Sequence, residues 1–331
     1  MMKILIISDH IYDEHVQRIK RAFPTFDVKK TLDKATMIKE AADADIILGG
    51  MYPEIFAAAK NLKWVQYIGA GVEKYLFPEF ADSQVILTNA SGTQHSVSDH
   101  AMALILALSR RLNMYIRFQL ERKWDRKEFD SWNGLVQDDL YGKVLGVIGL
   151  GHIGSEVARK AKCFGMTVIS IKRTPGAKPA YVDELLAPTG LNDLLRRSDF
   201  VVICVPITSE TRHMIGEKEL RMMKKDAILI ITSRGAVVDE NALVRALKEG
   251  WIAGAGLDSF ETEPLTTSSE LWGIPNVIIT PHVGGSTTLP RYSERVCEFF
   301  IENLKLYNEG RPLINVIDKK LGAGASPYQP V

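Results

Sequence analysis

The feature that most constrains the fold of this chain is a glycine-rich turn at residues 149–154. An apolar run, Lys143–Ile148, enters the turn, and a helical pattern at Ile153–Phe164 follows it. Three glycines fit the spacing G-x-G-x-x-G between a strand and a helix, namely Gly149, Gly151 and Gly154. The first permits a tight turn, the second lets a pyrophosphate approach the backbone, and the third lets helix and strand pack closely. The pattern therefore predicts a dinucleotide-binding turn, with backbone contacts from His152 and Ile153.

The composition fits a chain of two domains and argues against several classes of partner. The chain has 331 residues, and its 41 basic and 40 acidic residues leave no excess charge for a nucleic acid or an anionic membrane. The apolar run Ala101–Leu108 is too short to span a bilayer, and the first residues lack a signal-peptide core. We expect a cytoplasmic protein without a metal site, in which Cys163, Cys204 and Cys297 are buried free thiols.

Apolar runs of strand length alternate with amphipathic stretches, a pattern typical of parallel sheets covered by helices. In the first half the predicted strands are Lys3–Asp9, Phe26–Leu32, Ala44–Gly50, Leu62–Gly69 and Gln84–Ala90. In the second half they are Lys143–Leu150, Met166–Lys172, Asp199–Pro206, Ala227–Ser233, Ala253–Asp258 and Val277–His282. A helix is predicted at Glu240–Lys248, capped by Asp239 and ended by Gly250. The sequence thus predicts two doubly wound α/β units, of which only the second carries the glycine turn.

The end of the chain is predicted to return to the first unit. Apolar residues recur at three- and four-residue steps in Arg291–Tyr307, which predicts a helix, and Pro312–Ile317 follows it. The first domain is therefore expected to be discontinuous, at residues 1–99 and 288–331, with the second domain at residues 100–287.

Three polar residues end apolar runs of the second unit. They are Arg234, Asp258 and His282. Because the carboxyl ends of parallel strands meet at one edge of a sheet, where the glycine turn also lies, we expect these side chains to converge near a bound dinucleotide. Strand-end capping and surface ion pairs would explain each residue alone, but explain the three together poorly.

The chain resembles the D-isomer-specific 2-hydroxyacid dehydrogenase family over nearly its whole length. The matching segments are Thr88–Thr93, Asp99–Leu104, Tyr141–Gly154, Ser233–Glu240, Gly254–Pro264 and Thr280–Ser286. The resemblance implies a Rossmann NAD(P)-binding domain inserted into a flavodoxin-like substrate domain. It also implies reversible NAD(P)H-dependent reduction of a 2-oxo acid to the D-2-hydroxy acid. Glyoxylate and hydroxypyruvate are the expected substrates, and larger oxo acids stay open.

The resemblance assigns catalytic roles to Arg234, Glu263 and His282. The guanidinium fork of Arg234 would bind the carboxylate and ketone of the oxo acid, and would lie beside the cofactor. His282 would exchange a proton with the alkoxide, and Glu263 would stabilise its protonated form. Asp258 is implied near the nicotinamide, either in contact with it or in support of the site. The histidines without such a catalytic context are predicted to be structural or solvated; they are His10, His15, His95, His100 and His213.

The resemblance places the remaining substrate contacts in the first domain. Backbone N–H groups of Ala70, Gly71 and Val72 are expected to bind the substrate carboxylate, because glycines there allow close approach. A simple turn would also explain the glycines. Tyr52 lies where the family places a loop over the substrate, and is a candidate for specificity.

The second strand of the dinucleotide domain ends differently from the NAD-binding pattern. NAD recognition usually needs an acid about twenty residues past the glycine turn. Here Lys172 stands in that place, followed by Arg173 and Thr174. These residues would attract a 2′-phosphate, so we predict NADP(H) over NAD(H), although stacking of Arg173 on adenine would allow either. Further cofactor contacts are expected by position at Val205, Pro206, Thr232, Ser233 and Gly284.

Enzymes with related activities are alternatives to a 2-oxo acid reductase. Formate dehydrogenases replace the Glu–His pair with Gln–His, so Glu263 argues against that activity, and phosphite dehydrogenases typically use a lysine near residues 69–72 that is missing here. A phosphoglycerate dehydrogenase-like enzyme stays open, although the long regulatory extension and a basic residue for the substrate phosphate are not evident. A non-catalytic dinucleotide-sensing protein is the alternative from another class.

A homodimer is the expected assembly. The charged stretch Arg117–Asp139 also holds Trp124, Phe129 and Trp132, which need cover from another surface. They are predicted to form a dimer arm or a loop folded on its own domain. Together with the apolar helix at Ala101–Leu108, they favour a dimer.

Overall fold

Uninterrupted runs of isoleucine, leucine and valine form the strands of two parallel sheets. In the first sheet, for example, Ile4, Leu5 and Ile6 are fully buried, so neither face of their strand meets solvent. Strands covered by helices on both faces lose the alternation of apolar and polar residues. The computed structural model describes residues 1–90, 92–124, 138–174, 176–285 and 290–324. It divides into two compact units, Met1–Thr93 with Ser286–Val331, and Gln94–Gly285.

The first unit contains a five-stranded parallel sheet in the order β2-β1-β3-β4-β5 among its described residues. The strands are β1 (Lys3–Ile6), β2 (Asp27–Lys30), β3 (Ile46–Leu48), β4 (Trp64–Gln66) and β5 (Ile86–Thr88). The helices before the chain leaves this unit are α1 (Asp13–Ala22), α2 (Lys34–Ala41), α3 (Pro53–Ala58) and α4 (Pro78–Ala81), with a 3₁₀ turn at Glu73–Tyr75. This is the flavodoxin-like order, which confirms the predicted fold class for this unit.

The second unit begins with two helices, α5 (Gln94–Ser109) and α6 (Leu112–Leu120). Its parallel sheet consists of β6 (Val144–Ile148), β7 (Thr167–Ile171), β8 (Glu184–Leu186), β9 (Phe200–Ile203), β10 (Ile228–Ile231), β11 (Gly254–Leu257) and β12 (Val277–Ile279). Within the described residues their order is β12-β11-β10-β9-β6-β7-β8. Counted from β6, this is the doubly wound Rossmann order with one further strand at the β12 edge, and it confirms the second predicted fold.

The helices of the second unit connect these strands. They are α7 (His152–Cys163), α8 (Leu191–Arg197), α9 (Glu217–Leu220) and α10 (Glu240–Lys248), with 3₁₀ turns at Pro188–Gly190, Gly235–Val237 and Glu270–Gly273. Helix α10 has its predicted bounds. The Asp239 carboxylate accepts the Ala242 N–H at 3.0 Å, and Gly250 has φ +69° just beyond the helix end. The cap and the left-handed glycine therefore fix both ends of α10, as predicted.

The chain then returns to the first unit. Helix α11 (Pro290–Asn308) packs against α1, and Tyr292, Val296, Phe300 and Leu304 are buried in the same core as Trp64. A short antiparallel pair, β13 (Ile317–Asp318) and β14 (Ala323–Gly324), ends the described residues.

Several local predictions were wrong. The predicted strands extend beyond the observed ladders at one or both ends, because their outer residues lie in the turns that leave the sheet. Strand β8 and the β13–β14 pair were missed, since each has only two or three residues. Cys163 is exposed and Cys204 is only partly buried, whereas Cys297 is buried as expected. Cys163 is the last residue of α7, on its solvent side.

The apolar run Ala101–Leu108 is also not the exposed surface that the dimer argument assumed. It forms the second half of α5, and Ala101, Ile105 and Leu108 are fully buried against α7, β10 and β11 of their own unit. Its hydrophobicity therefore reflects the core. Among the described residues no helix is long and apolar enough to cross a membrane.

Candidate active site

The glycine turn joins β6 to α7 in a conformation that needs two of its three glycines. Gly149 has φ +101°, and a Cβ there would lie 2.7 Å from Val205 Cγ1. A Cβ at Gly154 would lie 2.0 Å from the Gly149 carbonyl oxygen, so the helix touches the turn. Gly151 is different, because a Cβ there would meet no atom within 4 Å. The structure thus leaves open space above the one glycine that was predicted to meet a pyrophosphate.

Helix α7 begins directly at this turn. Gly151 precedes the helix without a capping side chain, and His152, Ile153 and Gly154 form its first turn. The N–H groups of a first helical turn lack acceptors within the helix, and they add to the positive end of its dipole. An anionic group is favoured at such a place.

The basic residues at the end of β7 lie beside the same turn. The Ile171 carbonyl accepts the Gly149 and Leu150 N–H groups at 3.1 and 3.2 Å, which links the end of β7 to the turn. Lys172 follows Ile171 directly and is half-buried, while Arg173 and Thr174 are exposed. The structure therefore brings the predicted phosphate-selecting residues to the edge of the glycine turn.

At the end of β10, two hydroxyl groups lack a hydrogen-bond partner within the part of the chain that the structure describes. Thr232 Oγ1 and Ser233 Oγ are buried and have no hydrogen-bond partner among the described residues. Val205 and Pro206 follow β9, the strand between β6 and β10 in the sheet. Buried hydroxyl groups without a hydrogen-bond partner destabilise the folded state unless a ligand or water supplies that hydrogen bond. The open space at Gly151, the helix start and these hydroxyls together fit a dinucleotide.

His282 and Glu263 form a hydrogen-bonded pair. His282 Nδ1 lies 2.8 Å from Glu263 Oε2, and Glu263 Oε1 accepts the Phe260 N–H at 3.0 Å. With Nδ1 donating to the carboxylate, Nε2 is the ring nitrogen left for a ligand. The side chains of His282 and Glu263 are 41% and 36% exposed, so the pair is open to a small molecule.

The segment that carries Arg234 packs directly on the segment that carries Glu263. A Cβ at Gly235 would lie 2.1 Å from the backbone carbon of Phe260, so only glycine allows this approach. Arg234 Nη1 donates to the Ser233 carbonyl at 2.8 Å, at the start of the 3₁₀ turn after β10. The close packing brings the Arg234 and Glu263 segments together at the carboxyl edge of the sheet.

Asp258, which is 1% exposed, anchors the segment of His282. Its Oδ1 accepts the Thr280 hydroxyl at 2.6 Å and the Val283 N–H at 2.9 Å, and its Oδ2 accepts the Gly284 N–H at 2.9 Å. His282 has φ +54°, a left-handed conformation that is rare for a residue with a side chain. Two successive N–H groups on one carboxylate hold this conformation. In this structure Asp258 supports the histidine segment through these hydrogen bonds to its backbone and to Thr280.

The charge of Asp258 is stabilised by its donors. Burial by itself would raise the pKa of Asp258, but hydrogen bonds from His100, Thr280, Gly284 and Val283 hold that pKa below its ordinary value. The carboxylate is therefore ionised at neutral pH, as its acceptor role requires.

His100 and Thr280 belong to this network, although the sequence reasoning assigned no role to either. His100 Nε2 lies 2.8 Å from Thr280 Oγ1 and 3.4 Å from Asp258 Oδ1. His100 therefore has a structural role, which is one of the two roles predicted for it, but its contact with the Asp258 network was not predicted. A signal was present, because His100 lies three residues after Val97 and four before Leu104 on the buried face of α5. A Cβ at Gly284 would lie 2.8 Å from Asp258 Oδ2, so the network requires glycine there.

In the first unit, most carbonyl groups of the loop after β4 accept hydrogen bonds, whereas its N–H groups have no acceptor among the described residues. The carbonyls of Ile68, Gly69 and Val72 accept Tyr292 Oη at 2.6 Å, Ala90 N at 3.1 Å and Tyr75 N at 2.9 Å. The side chain of Asn89 donates to the carbonyl of Ala70. Among the described residues, the N–H groups of residues 69–72 have no acceptor. Consecutive open N–H groups fit an anion.

Tyr52 lies beside this loop within the first unit. Its side chain is 48% exposed, and its ring meets Tyr75 edge-on at 5.6 Å. Burial, Tyr75 and Asp9 raise the pKa of Tyr52, so its hydroxyl is neutral at physiological pH.

A cavity of about 1040 Å³ lies elsewhere in the second unit. Its lining includes Asp226, Ala253 and Asn276, which precede β10, β11 and β12. It is therefore at the amino edge of the sheet, opposite to the edge with the glycine turn, Asp258 and His282. Its position separates it from the candidate active site.

Comparisons with known proteins point to one family. Residues 102–284 match the family model described as D-isomer specific 2-hydroxyacid dehydrogenase, NAD binding domain. The chain is 38% identical over 301 residues to a glyoxylate reductase of Thermococcus gammatolerans, covering 88% of each chain. It resembles the structure of a D-isomer specific 2-hydroxyacid dehydrogenase family protein from Aeromonas salmonicida, with a TM-score of 0.81, 30% identity, and coverage of 96% and 99% of the two chains.

A second structural neighbour carries a cofactor. It is an NADPH-dependent glyoxylate/hydroxypyruvate reductase from Sinorhizobium meliloti in complex with NADP and sulfate. The TM-score is 0.81 at 26% identity, and the match covers 97% of this chain and 100% of that chain.

The Asp258 network predicts a pH-dependent loss of stability on Asp258→Asn. An amide cannot accept from both backbone N–H groups, which we expect to cost about 1–3 kcal/mol at pH 7. Because the folded-state pKa is below the ordinary value of 3.8, the advantage of wild type is full above that pH and diminishes as the pH falls further. Thermal unfolding midpoints of wild type and Asp258→Asn, measured from pH 7 downward, give this difference in stability. Asp139→Asn, at an 83% exposed carboxylate, is the control. A pH-independent difference, or none at pH 7, would contradict the network.

Proposed function

This chain belongs to the D-isomer-specific 2-hydroxyacid dehydrogenase family, and we propose that it reduces small 2-oxo acids to D-2-hydroxy acids with a nicotinamide dinucleotide. The observation that carries the proposal is the His282–Glu263 pair, at 2.8 Å, on the sheet edge that also holds the glycine turn. The names of the relatives from Thermococcus and Sinorhizobium support glyoxylate and hydroxypyruvate as substrates.

The proposed chemistry assigns one task to each side chain. The bound nicotinamide supplies the hydride. Arg234 binds the substrate carboxylate and ketone oxygen and stabilises the negative charge that grows on that oxygen. His282 Nε2 gives its proton to the oxygen as the carbonyl carbon is reduced, which leaves a neutral imidazole and a hydroxyl group. Glu263, on Nδ1, fixes the ring and balances the charge of the protonated form.

In this proposal the loop at residues 69–72 of the first unit binds the substrate anion, and it is called the anion-binding loop below. The open N–H groups of Ala70, Gly71 and Val72 would donate to the substrate carboxylate. Tyr52, half-exposed beside the loop, would contact the substituent of the oxo acid and so influence which acids are accepted.

The dinucleotide would be held by residues that follow five strands of the second unit, β6, β7, β9, β10 and β12. Its pyrophosphate would meet Gly151, His152 and Ile153. Its other contacts are the predicted ones at Val205, Pro206, Thr232, Ser233 and Gly284, with Asp258 acting through the His282 segment. We propose NADP(H) as the preferred form, since Lys172, Arg173 and Thr174 lie at the edge of the glycine turn where NAD recognition would need an acid.

We also propose a homodimer that uses helix α6. Leu112, Ile116 and Leu120 recur at four-residue steps and are 46%, 55% and 80% exposed, and Trp124 is 93% exposed. A contiguous exposed apolar face marks an interaction surface. Phe129 and Trp132 of the predicted arm lie outside the described residues. A monomer in light scattering would contradict the dimer. A cytoplasmic location stays a prediction.

Steady-state turnover tests the function. Oxidation of NADPH and of NADH is followed with glyoxylate, hydroxypyruvate, pyruvate, phenylpyruvate and 2-oxoisocaproate. We expect turnover with the small oxo acids, and with NADPH well above NADH. Absence of turnover with both cofactors, in protein shown to bind NADPH, would overturn the proposed reaction and favour a dinucleotide sensor.

Charge reversal at Lys172 tests the cofactor preference. In Lys172→Asp, loss of a charge-assisted contact and repulsion of the 2′-phosphate are expected to lower the NADPH-to-NADH ratio of kcat/KM on the order of 100-fold. Lys225→Asp makes the same charge change at an exposed position on the opposite edge of the sheet and should leave the ratio unchanged. A ratio that is the same in both variants would refute the assignment.

A further inference from the structure

A buried tyrosine of helix α11 reaches the base of the anion-binding loop. Tyr292 is 2% exposed, and its hydroxyl donates to the Ile68 carbonyl at 2.6 Å across 224 residues of sequence. Ile68 is the residue before Gly69, the first residue of the loop. The return of the chain to the first unit therefore places a donor on the peptide group at which the loop begins.

The direction of each loop N–H group follows from the carbonyl that precedes it. In a planar trans peptide the C=O of one residue and the N–H of the next point in opposite directions. Tyr292, by holding the carbonyl of Ile68, directs the N–H of Gly69. In the same way the Ala90 N–H holds the carbonyl of Gly69 and directs the N–H of Ala70, and the Asn89 side chain holds the carbonyl of Ala70.

All three of these peptide groups include a glycine, and glycine by itself does little to fix the backbone conformation. Gly69 and Gly71 have no Cβ to restrict their backbone angles. The orientation of the loop therefore depends on the hydrogen bonds to its carbonyl groups, which are called its tethers here. The Tyr292 tether is fully buried, and without the hydroxyl the Ile68 carbonyl would be buried unpaired. The hydroxyl keeps its proton, because burial raises the pKa of Tyr292 well above its ordinary value.

We infer that Tyr292 is a positioning residue for substrate binding, whose hydroxyl holds the loop at residues 69–72 with its N–H groups aimed at the substrate carboxylate. The inference rests on the proposed function, in which that loop binds the oxo acid. Tyr292 touches neither substrate nor cofactor in this account. Its effect should therefore appear in substrate affinity and leave the chemical step and NADPH binding largely unchanged.

The test compares Tyr292→Phe with Tyr307→Phe. Tyr307 lies on the same helix, packs in the same core and stacks on Trp64 at 5.4 Å, and among the described residues no hydrogen bond joins its hydroxyl to the loop. Tyr292→Phe is expected to raise KM for glyoxylate about tenfold, the equivalent of one net hydrogen bond, with kcat and the Kd of NADPH little changed. Tyr307→Phe should leave KM unchanged. Equal KM values in the two variants would overturn the inference.

A second variant and a binding measurement guard against loss of folding or of activity. Asn89→Ala removes the half-exposed tether on Ala70 and should raise KM in the same direction. Calorimetric titration of each enzyme–NADPH complex with oxamate, an unreactive 2-oxo acid analogue, measures the loop without turnover. Weaker oxamate binding in both tether variants supports the inference, and unchanged binding overturns it. If wild type neither reduces oxo acids nor binds oxamate, the proposed function fails instead.

Discussion

One buried carboxylate holds together the part of this molecule on which its proposed chemistry depends. Asp258 accepts two successive N–H groups that follow His282, and the hydroxyl of Thr280 that precedes it. A residue with a side chain in the left-handed region carries strain of about 1–3 kcal/mol, which persists only where surrounding contacts over-determine it. The network gives His282 one backbone conformation, and within it the imidazole reaches Glu263 with Nδ1 and leaves Nε2 outward. His100 completes the network from helix α5.

The parallel sheet explains why residues so distant in sequence share one site. The glycine turn follows β6, the basic residues follow β7, the unpaired hydroxyls follow β10, Asp258 follows β11 and His282 follows β12. All of these strands end at the same edge, so a long ligand with phosphates at one end and a reactive ring at the other meets a different chemistry at each strand. The same rule acts in the first unit, where the loop at residues 69–72 follows β4 and its N–H groups have no acceptor among the described residues.

The sequence predicted the strands, helices and sheet folds better than the contacts between them. The positions of Gly149, Gly151 and Gly154, the bounds of α10 and both sheet folds follow from local spacing and capping, which act within a few residues. His100 was missed because its role depends on Thr280, 180 residues away. The dimer argument from Ala101–Leu108 failed because hydrophobicity cannot tell a core helix from an exposed one. The short strand β8 was missed since three residues carry little periodicity, and only pairing with β7 defines it.

In the proposed reaction His282 is the proton donor of a 2-oxo acid reductase. Single-turnover reduction of glyoxylate by the enzyme–NADPH complex, compared between wild type and His282→Asn, tests this most directly. Asparagine keeps a polar side chain that tolerates the left-handed backbone conformation, but it cannot act as an acid near neutral pH. If His282 is the proton donor, the rate of the chemical step falls about 10²–10⁴-fold in His282→Asn while the Kd of NADPH is unchanged. A rate within a few-fold of wild type, with NADPH still bound, would contradict it.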